Sequence, residues 1–306
     1  MTRRASPEAL AQRARDLEAC LRAGGDGDGE RQLADACYTA AVRRTHLEHR
    51  LAVPARDREQ MCQRLLEFAE GRSTEGCVQG RGVPGERRRL AFVYPGQGSQ
   101  WLGMGRDLLQ SAPAFRAALE RCDELIRAQA GWSVLAELQA DAATTRLADI
   151  DVVQPVLFAL QVALTQLWRA AGVEPDVVVG HSMGEVAAAW AAGALTLEDA
   201  VRVICSRSRL MRDARGKGAM ALVEMGLEEA EAAIARHGGR LCVAVSNSLR
   251  STVIAGDTAA LEQLLVELQA RDVFQRRINV DVASHSPQMD PLLEPLRRAL
   301  AGIAPR

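Results

Sequence analysis

Asp176-Val-Val-Val-Gly-His-Ser-Met-Gly-Glu-Val-Ala-Ala-Ala-Trp-Ala-Ala-Gly193 is the stretch on which the fold turns. A short β-branched run enters a Gly-x-Ser-x-Gly turn, and an Ala-rich helix leaves it. That order predicts a strand, a tight elbow and a helix, with the Ser182 hydroxyl held out at the top of a sheet. Gly180 and Gly184 leave room for a strained backbone and for close approach of helix to strand. The helix beginning near Met183 aims its unbonded N–H groups and positive dipole end at whatever bonds to Ser182, which suits an oxyanion.

Upstream, Leu90-Ala-Phe-Val-Tyr94 predicts a second strand, ending in the loop Pro95-Gly-Gln-Gly-Ser-Gln-Trp101. Two glycines around Gln97 at the carboxyl end of a strand let that amide and its backbone come close to a ligand. Helices are predicted over about 113–129 and 154–171. Downstream, a helix from about Leu197 carries Arg202, Arg207 and Arg209 and stops at Gly216-Lys-Gly218. Strand, helices, strand, elbow and helix make an α/β core, hydrolase-like in its elbow. Beyond it the pattern predicts strand 219–225, helix 227–237, strands 241–246 and 251–255, helix 259–270 and strand 273–282. This βαββαβ order is that of a ferredoxin-like subdomain, inserted at about 219–283 between Ser182 and His285. The core is thus expected over 89–218 and 284–306.

The first 88 residues read as a small α+β unit. A capped amphipathic helix runs from Ser6 to about Leu21, Gly24-Gly-Asp-Gly-Asp-Gly29 breaks it, and a second helix follows near 30–40. Arg43-Arg-Thr-His-Leu-Glu-His-Arg-Leu-Ala-Val-Pro54 alternates like a strand, and 57–71 reads as a helix with Met61, Leu65, Leu66 and Phe68 at helical spacing. Glycines at 76, 80, 82 and 85 and arginines at 87–89 mark 72–88 as a connector.

With 306 residues, 48% hydrophobic and 25% charged, the chain can bury a sizeable core. A net charge of -1 gives no general attraction to nucleic acid or anionic membrane. The seven cysteines, at 20, 37, 62, 77, 122, 205 and 242, form no CxxC pair, so neither a disulfide framework nor a metal site is expected and a cytoplasmic setting is. No export signal is seen, and no run is read as the ~20 apolar residues of a membrane span.

A serine nucleophile needs a base. His285, in Val282-Ala-Ser-His-Ser-Pro287, ends a predicted strand where a loop begins; His237, at a helix end, and His46 and His49, in the first unit, are worse placed. His181 adjoins Ser182 in sequence, but the elbow should point it elsewhere. Gln97 suits an oxyanion donor. Arg207, read alone, is an ordinary helix charge.

Taken together, Pro95-Gly-Gln-Gly-Ser-Gln-Trp, Gly180-His-Ser-Met-Gly-Glu, Arg207-Ser-Arg-Leu-Met, Gly218-Ala-Met and Val282-Ala-Ser-His resemble, in this order and spacing, the acyltransferase domain of modular type I polyketide synthases, kin to malonyl-CoA:acyl carrier protein transacylases. Arg43-Arg-Thr-His-Leu-Glu-His-Arg-Leu looks like the linker subdomain between a ketosynthase and its acyltransferase, so the resemblance covers nearly the whole chain. It implies that Ser182 is acylated by an extender-unit CoA thioester, with His285 as base and backbone N–H groups of Met183 and Gln97 as the oxyanion hole. It implies that Arg207 grips the free carboxylate of the malonyl-type group, and that the acyl group passes to the phosphopantetheine thiol of an acyl carrier protein. No metal and no bound cofactor are implied. Gln154, in Val153-Gln-Pro-Val, matches a family position near the site.

The specificity positions implied are Met183, Val282 and Ser284. Small Ser284, where malonyl enzymes often carry Phe, leaves space for an α-substituent, and Val282 departs from both the methylmalonyl and the malonyl patterns. The expected extender is methylmalonyl, with malonyl the alternative; a methyl group gives only ~1 to 3 kcal/mol of discrimination. The chain ends 306 - 285 = 21 residues past His285, where the family usually continues with a segment that orients the histidine, so truncation is expected. No clear acidic partner replaces that segment, although Asp290 lies close in the chain. Two other readings share parts of the pattern: a serine hydrolase or thioesterase, which would have no use for Arg207, and an inactive interaction fragment of a megasynthase.

Overall fold

The computed structural model describes residues 6–23, 29–83, 88–216, 218–278, 280 and 282–306. The Gly-Asp break at 24–28, part of the connector at 84–87 and Lys217 lie outside them. The chain divides into two compact units, Met1–Arg88 and Arg89–Arg306.

In the first unit, helices α1 (Pro7–Ala23), α2 (Gly29–Val42) and α3 (Arg58–Ala69) accompany a two-stranded antiparallel ribbon of β1 (His49–Ala52) and β2 (Val78–Arg81). Ala14 and Leu21 of α1 bury against Met61, Cys62, Leu65 and Ala69 of α3. Asp57 caps α3, its carboxylate accepting the Gln60 N–H at 2.8 Å, and Arg15 donates to the Ala69 carbonyl at the other end at 2.7 Å. Strand β2 corrects the reading of 72–88 as connector. Its four residues are exposed and include Gly80, so no apolar alternation announces it; pairing with β1 holds it.

In the second unit the elements run β3 (Ala91–Tyr94), α4 (Arg106–Ser111), α5 (Pro113–Ala130), α6 (Val134–Gln139), α7 (Ile150–Ala170), β4 (Val177–Gly180), α8 (Gly184–Ala191) and α9 (Leu197–Arg212). Strands β3 and β4 pair in parallel, Ala91 opposite Val177 through Tyr94 opposite Gly180. Phe92, Tyr94 and Val178 on one face pack into the main core. Val93, Val177 and Val179, on the other, are 67%, 48% and 49% exposed. The short helices α4 and α6 were not foreseen.

Helix α7 is the spine of this core. It is long and apolar enough to cross a membrane by composition, contrary to the reading of no such run, but 78% of its apolar window is buried in the protein, as a central core helix is. It also fixes the end of β3. Thr165 donates to the Gln161 carbonyl at 2.7 Å, which leaves its oxygen to accept the Tyr94 hydroxyl at 3.0 Å; Gln161 Nε2 donates to the Pro95 carbonyl at 2.8 Å.

The remaining elements are β5 (Ala219–Val223), α10 (Leu227–Ile234), β6 (Leu241–Ser248), β7 (Ser251–Gly256), α11 (Thr258–Ala270), β8 (Gln275–Arg277) and α12 (Asp290–Ala299). The four strands form one antiparallel sheet in the order β6-β7-β5-β8, with Ala230 and Ala233 of α10 and Leu261, Leu264 and Leu268 of α11 buried against it. The last strand is shorter than the predicted 273–282. The Ile278 N–H still bonds to the Met220 carbonyl, but Val280 turns its N–H back onto the Ile278 carbonyl at 2.8 Å and leaves the ladder. Residues 279 and 281 are outside the described set.

Candidate active site

Ser182 sits between β4 and α8 with φ 52°, a left-handed conformation that costs a non-glycine residue of order 1–3 kcal/mol. The glycines on either side explain how it is held. A Cβ on Gly184 would lie 2.0 Å from the Tyr94 carbonyl oxygen, and one on Gly180 would lie 2.3 Å from the Glu185 Cα. Only hydrogen fits at either place. The His181 N–H donates to the Tyr94 carbonyl at 2.9 Å and the Glu185 N–H to the Ser182 carbonyl at 3.0 Å, closing the turn.

His285 lies 103 residues further along the chain, and its Nε2 is 3.0 Å from Ser182 Oγ. With neutral imidazole carrying its proton on Nδ1, the serine hydroxyl donates to Nε2, the geometry of a general base on its nucleophile. His285 is also left-handed, with φ 56°. Buried Ser286 ties the turn beneath it, donating to the Ala283 carbonyl at 2.6 Å and accepting the Gln288 N–H at 3.3 Å. Partial burial pushes the imidazole below the ordinary histidine range. The Arg207 charge and then His181 add to this, and Glu185 opposes it. No acceptor among the described residues, Asp290 included, bonds Nδ1. His181 lies against the Gln97 loop: its Nδ1 is 3.0 Å from where a Cβ on Gly96 would be.

Among the described residues, the main-chain N–H groups of Met183 and Gln97 have no acceptor. Met183 caps the start of α8, where unbonded N–H groups and the positive dipole end coincide.

Arg207 comes from α9. Desolvation lowers its pKa, countered by Glu185 at longer range, and no carboxylate of the described residues forms an ion pair with it. Its Nη1 donates to Oε1 of Gln154, a residue of α7 that is 4% exposed. The Gln154 Nε2 donates in turn to Gln97 Oε1 at 3.3 Å. A desolvated guanidinium with donors to spare is an anion receptor, and a planar carboxylate is its natural match.

The structure thus brings Gln97, Gln154 and Arg207 into one hydrogen-bonded row and joins Ser182 to His285. The three specificity positions are placed differently. The Met183 side chain is 1% exposed and belongs to the main core, so its link to the site is its backbone. Val282 is buried with Ile150, Met211 and Ala214 in a small separate cluster, while Ser284 is half-buried beside His285. Sequence reasoning missed Ser286 and Gln161, which hold the His285 turn and the Gln97 loop. The Ser-Pro at 286–287, a helix-capping signature, was the available signal for the first. A glutamine on a helix gives none for the second.

Residues 91–306 match the acyl transferase domain family, and residues 5–65 match the family described as CurL-like, PKS C-terminal. Polyketide synthase GfsB of Streptomyces halstedii is 42% identical over 302 residues, 98% of this chain and 5% of that protein. This chain therefore spans about one twentieth of the length of that relative. The crystal structure of the acyltransferase domain from module 8 of the salinomycin polyketide synthase superposes with a TM-score of 0.86 at 39% identity, covering 98% of this chain and 70% of that one. The malonyl CoA-acyl carrier protein transacylase of Coxiella burnetii superposes with a TM-score of 0.65 at 32% identity, covering 71% and 70% of the two chains.

Proposed function

The chain belongs to the acyl transferase domain family found in modular polyketide synthases, and from that premise we propose that it loads a malonyl-type extender unit from CoA onto Ser182 and hands it to an acyl carrier protein. The observation that carries this reading is the Ser182–His285 pair at 3.0 Å together with a desolvated arginine that no carboxylate of the described residues pairs.

In the first half-reaction, Ser182 Oγ bonds to the thioester carbonyl carbon as His285 Nε2 takes the hydroxyl proton. Charge collects on the carbonyl oxygen, where the N–H groups of Met183 and Gln97 receive it. The C–S bond then breaks, and the imidazolium returns its proton to the CoA thiolate. In the second half, the phosphopantetheine thiol of the carrier protein attacks the acyl-serine, His285 takes that proton, and the serine leaves with it. Arg207 holds the free carboxylate throughout, and the Gln154 carbonyl steadies the guanidinium. Acyl-CoA is donor substrate, not resident cofactor, and no metal enters these steps. The extender is methylmalonyl, with malonyl accepted, because Ser284 beside His285 is small.

The finer architecture follows the same reading. Strands β3 and β4 with their helices are an α/β-hydrolase-like core, residues 219–283 are a ferredoxin-like subdomain, for which the order β6-β7-β5-β8 is the support, and residues 1–88 are the linker that meets a ketosynthase in a cytoplasmic synthase. The test is intact-protein mass spectrometry after brief exposure to malonyl-CoA, methylmalonyl-CoA and acetyl-CoA in competition. One dominant malonyl-type adduct, absent in Ser182→Ala, is expected. A folded protein that acquires none, or an adduct that survives the substitution, overturns the assignment.

A further inference from the structure

The row Arg207–Gln154–Gln97 has a direction that chemistry fixes. A guanidinium carries only donors, so the Gln154 atom facing it is the oxygen. The other branch of a planar carboxamide is then its NH2, and that group faces Gln97, whose nearest atom is therefore also oxygen. The NH2 of Gln97 is left at the end of the row. Among the described residues it has no acceptor, and it belongs to the residue whose main-chain N–H is likewise unbonded. Without Arg207, either amide could turn over at little cost. With it, the buried Gln154 has one orientation, since a flip would set donor against donor in a low-dielectric site.

We propose that Gln154 is a positioning residue: it passes the fixed polarity of Arg207 to Gln97 and so holds the Gln97 carboxamide in the one orientation that offers its NH2 to an oxygen of the acyl substrate. This rests on the acyl-transfer reading above. The row also couples two tasks, because the arginine that receives the carboxylate polarises the donor at the far end.

Three variants and two readouts test it on the full chain: Gln154→Met, which keeps volume and removes the row; Gln154→Glu, which keeps the contact to Arg207 but can only accept, so that Gln97 must turn its NH2 inward; and Gln97→Met. The first readout is single-turnover acylation by malonyl-CoA. Gln154→Met and Gln97→Met each slow it by about five- to tenfold, the loss of about one hydrogen bond. The double variant is no slower than the worse single one. With acetyl-CoA as donor, so that the new carboxylate beside Arg207 competes with no substrate carboxylate, Gln154→Glu is slower than Gln154→Met, and most of that excess vanishes in the Gln97→Met background. The second readout is the side-chain amide signal of Gln97 in nitrogen-15 NMR, identified by its loss in Gln97→Met, which shifts in Gln154→Glu. Wild-type acylation rates in Gln154→Met, losses that multiply in the double variant, or an unmoved Gln97 signal in Gln154→Glu each overturn the proposal. A wild-type protein that is never acylated overturns the acyl-transfer reading instead, while the NMR signature still decides the relay.

Discussion

Replacing Arg207 with alanine separates recognition of a carboxylated acyl group from acyl transfer as such. In the structure the guanidinium spends one Nη1 hydrogen on Gln154 and faces no ion-pair partner among the described residues. Two donors can therefore meet a carboxylate side by side. Hydrogen bonds to charged groups contribute about 1.5–3 kcal/mol each, so a bidentate pair is worth about 3–5 kcal/mol after partial solvation of the mouth of the site. At 1.36 kcal/mol per tenfold, Arg207→Ala lowers kcat/KM for malonyl-type thioesters by about 10²- to 10⁴-fold. Acetyl-CoA has no carboxylate to lose and suffers only through Gln154, by about tenfold or less. The assay is early-time mass spectrometry of acylated protein in an equal mixture of malonyl-CoA and acetyl-CoA, with urea unfolding as the fold control. Removal strands only the Gln154 oxygen, so the fold survives. Arg207→Lys restores part of the preference, since a point charge cannot make the paired contact. Equal losses on both donors would refute the reasoning.

Four further outcomes are expected. Acylation needs neutral imidazole, and His285 is held below its ordinary value of 6.5, so the rate should stay flat below the usual histidine range before it falls as pH drops. Arg207 is the second cause of that depression, so with acetyl-CoA as donor the acidic limb should move to higher pH in Arg207→Ala; a limb that stays put removes the electrostatic link. Gly184→Ala drives a Cβ to 2.0 Å from main-chain oxygen, which cannot swing aside, and should cost about 3 kcal/mol or more with loss of acylation; an unchanged Tm would contradict the packing. Asp123, 4% exposed, accepts from Ser133 Oγ at 2.7 Å, the Leu135 N–H at 3.1 Å and Arg127 at 2.7 Å. Asp123→Ala strands two of these donors and should lower unfolding stability by about 2–4 kcal/mol without changing donor preference in acylation.

What could be read from the residues alone was whatever is encoded locally. The Gly-x-Ser-x-Gly elbow, helix α9 from Leu197 and the βαββαβ order all follow from period, turn glycines and β-branched runs, and most bounds agree within a few residues, the strands read over 43–54 and 273–282 being the ones that prove much shorter. What escaped depends on partners far along the chain. Strand β2 exists because β1 pairs with it, and β8 stops at Arg277 because Val280 bonds back to Ile278. At the site, Ser182 was legible because its elbow follows a strand directly, and His285 because a loop was read there, although β8 ends at Arg277, eight residues before it; Arg207 was unremarkable until its family spacing was considered. Its partner Gln154 lies on another helix, 53 residues away, and no pattern within α7 distinguishes a glutamine that receives an arginine from one that faces solvent.

Both side chains of the Ser182–His285 contact stand on left-handed residues, Ser182 at φ 52° and His285 at φ 56°. Each costs the fold of order 1–3 kcal/mol, and neither conformation is set by its own residue type. The compensation lies in the flanks. Gly180 and Gly184 admit a strand and a helix so close that no side chain fits between them, and Ser286 closes the turn under His285 with two bonds of its own. A relaxed backbone at either position would turn the side chain away, and the two residues, 103 apart in sequence, would lose their 3.0 Å contact. The strain is therefore local but its effect is joint: two separately forced turns, on a parallel strand pair and beyond an antiparallel sheet, are what bring one serine hydroxyl onto one imidazole nitrogen.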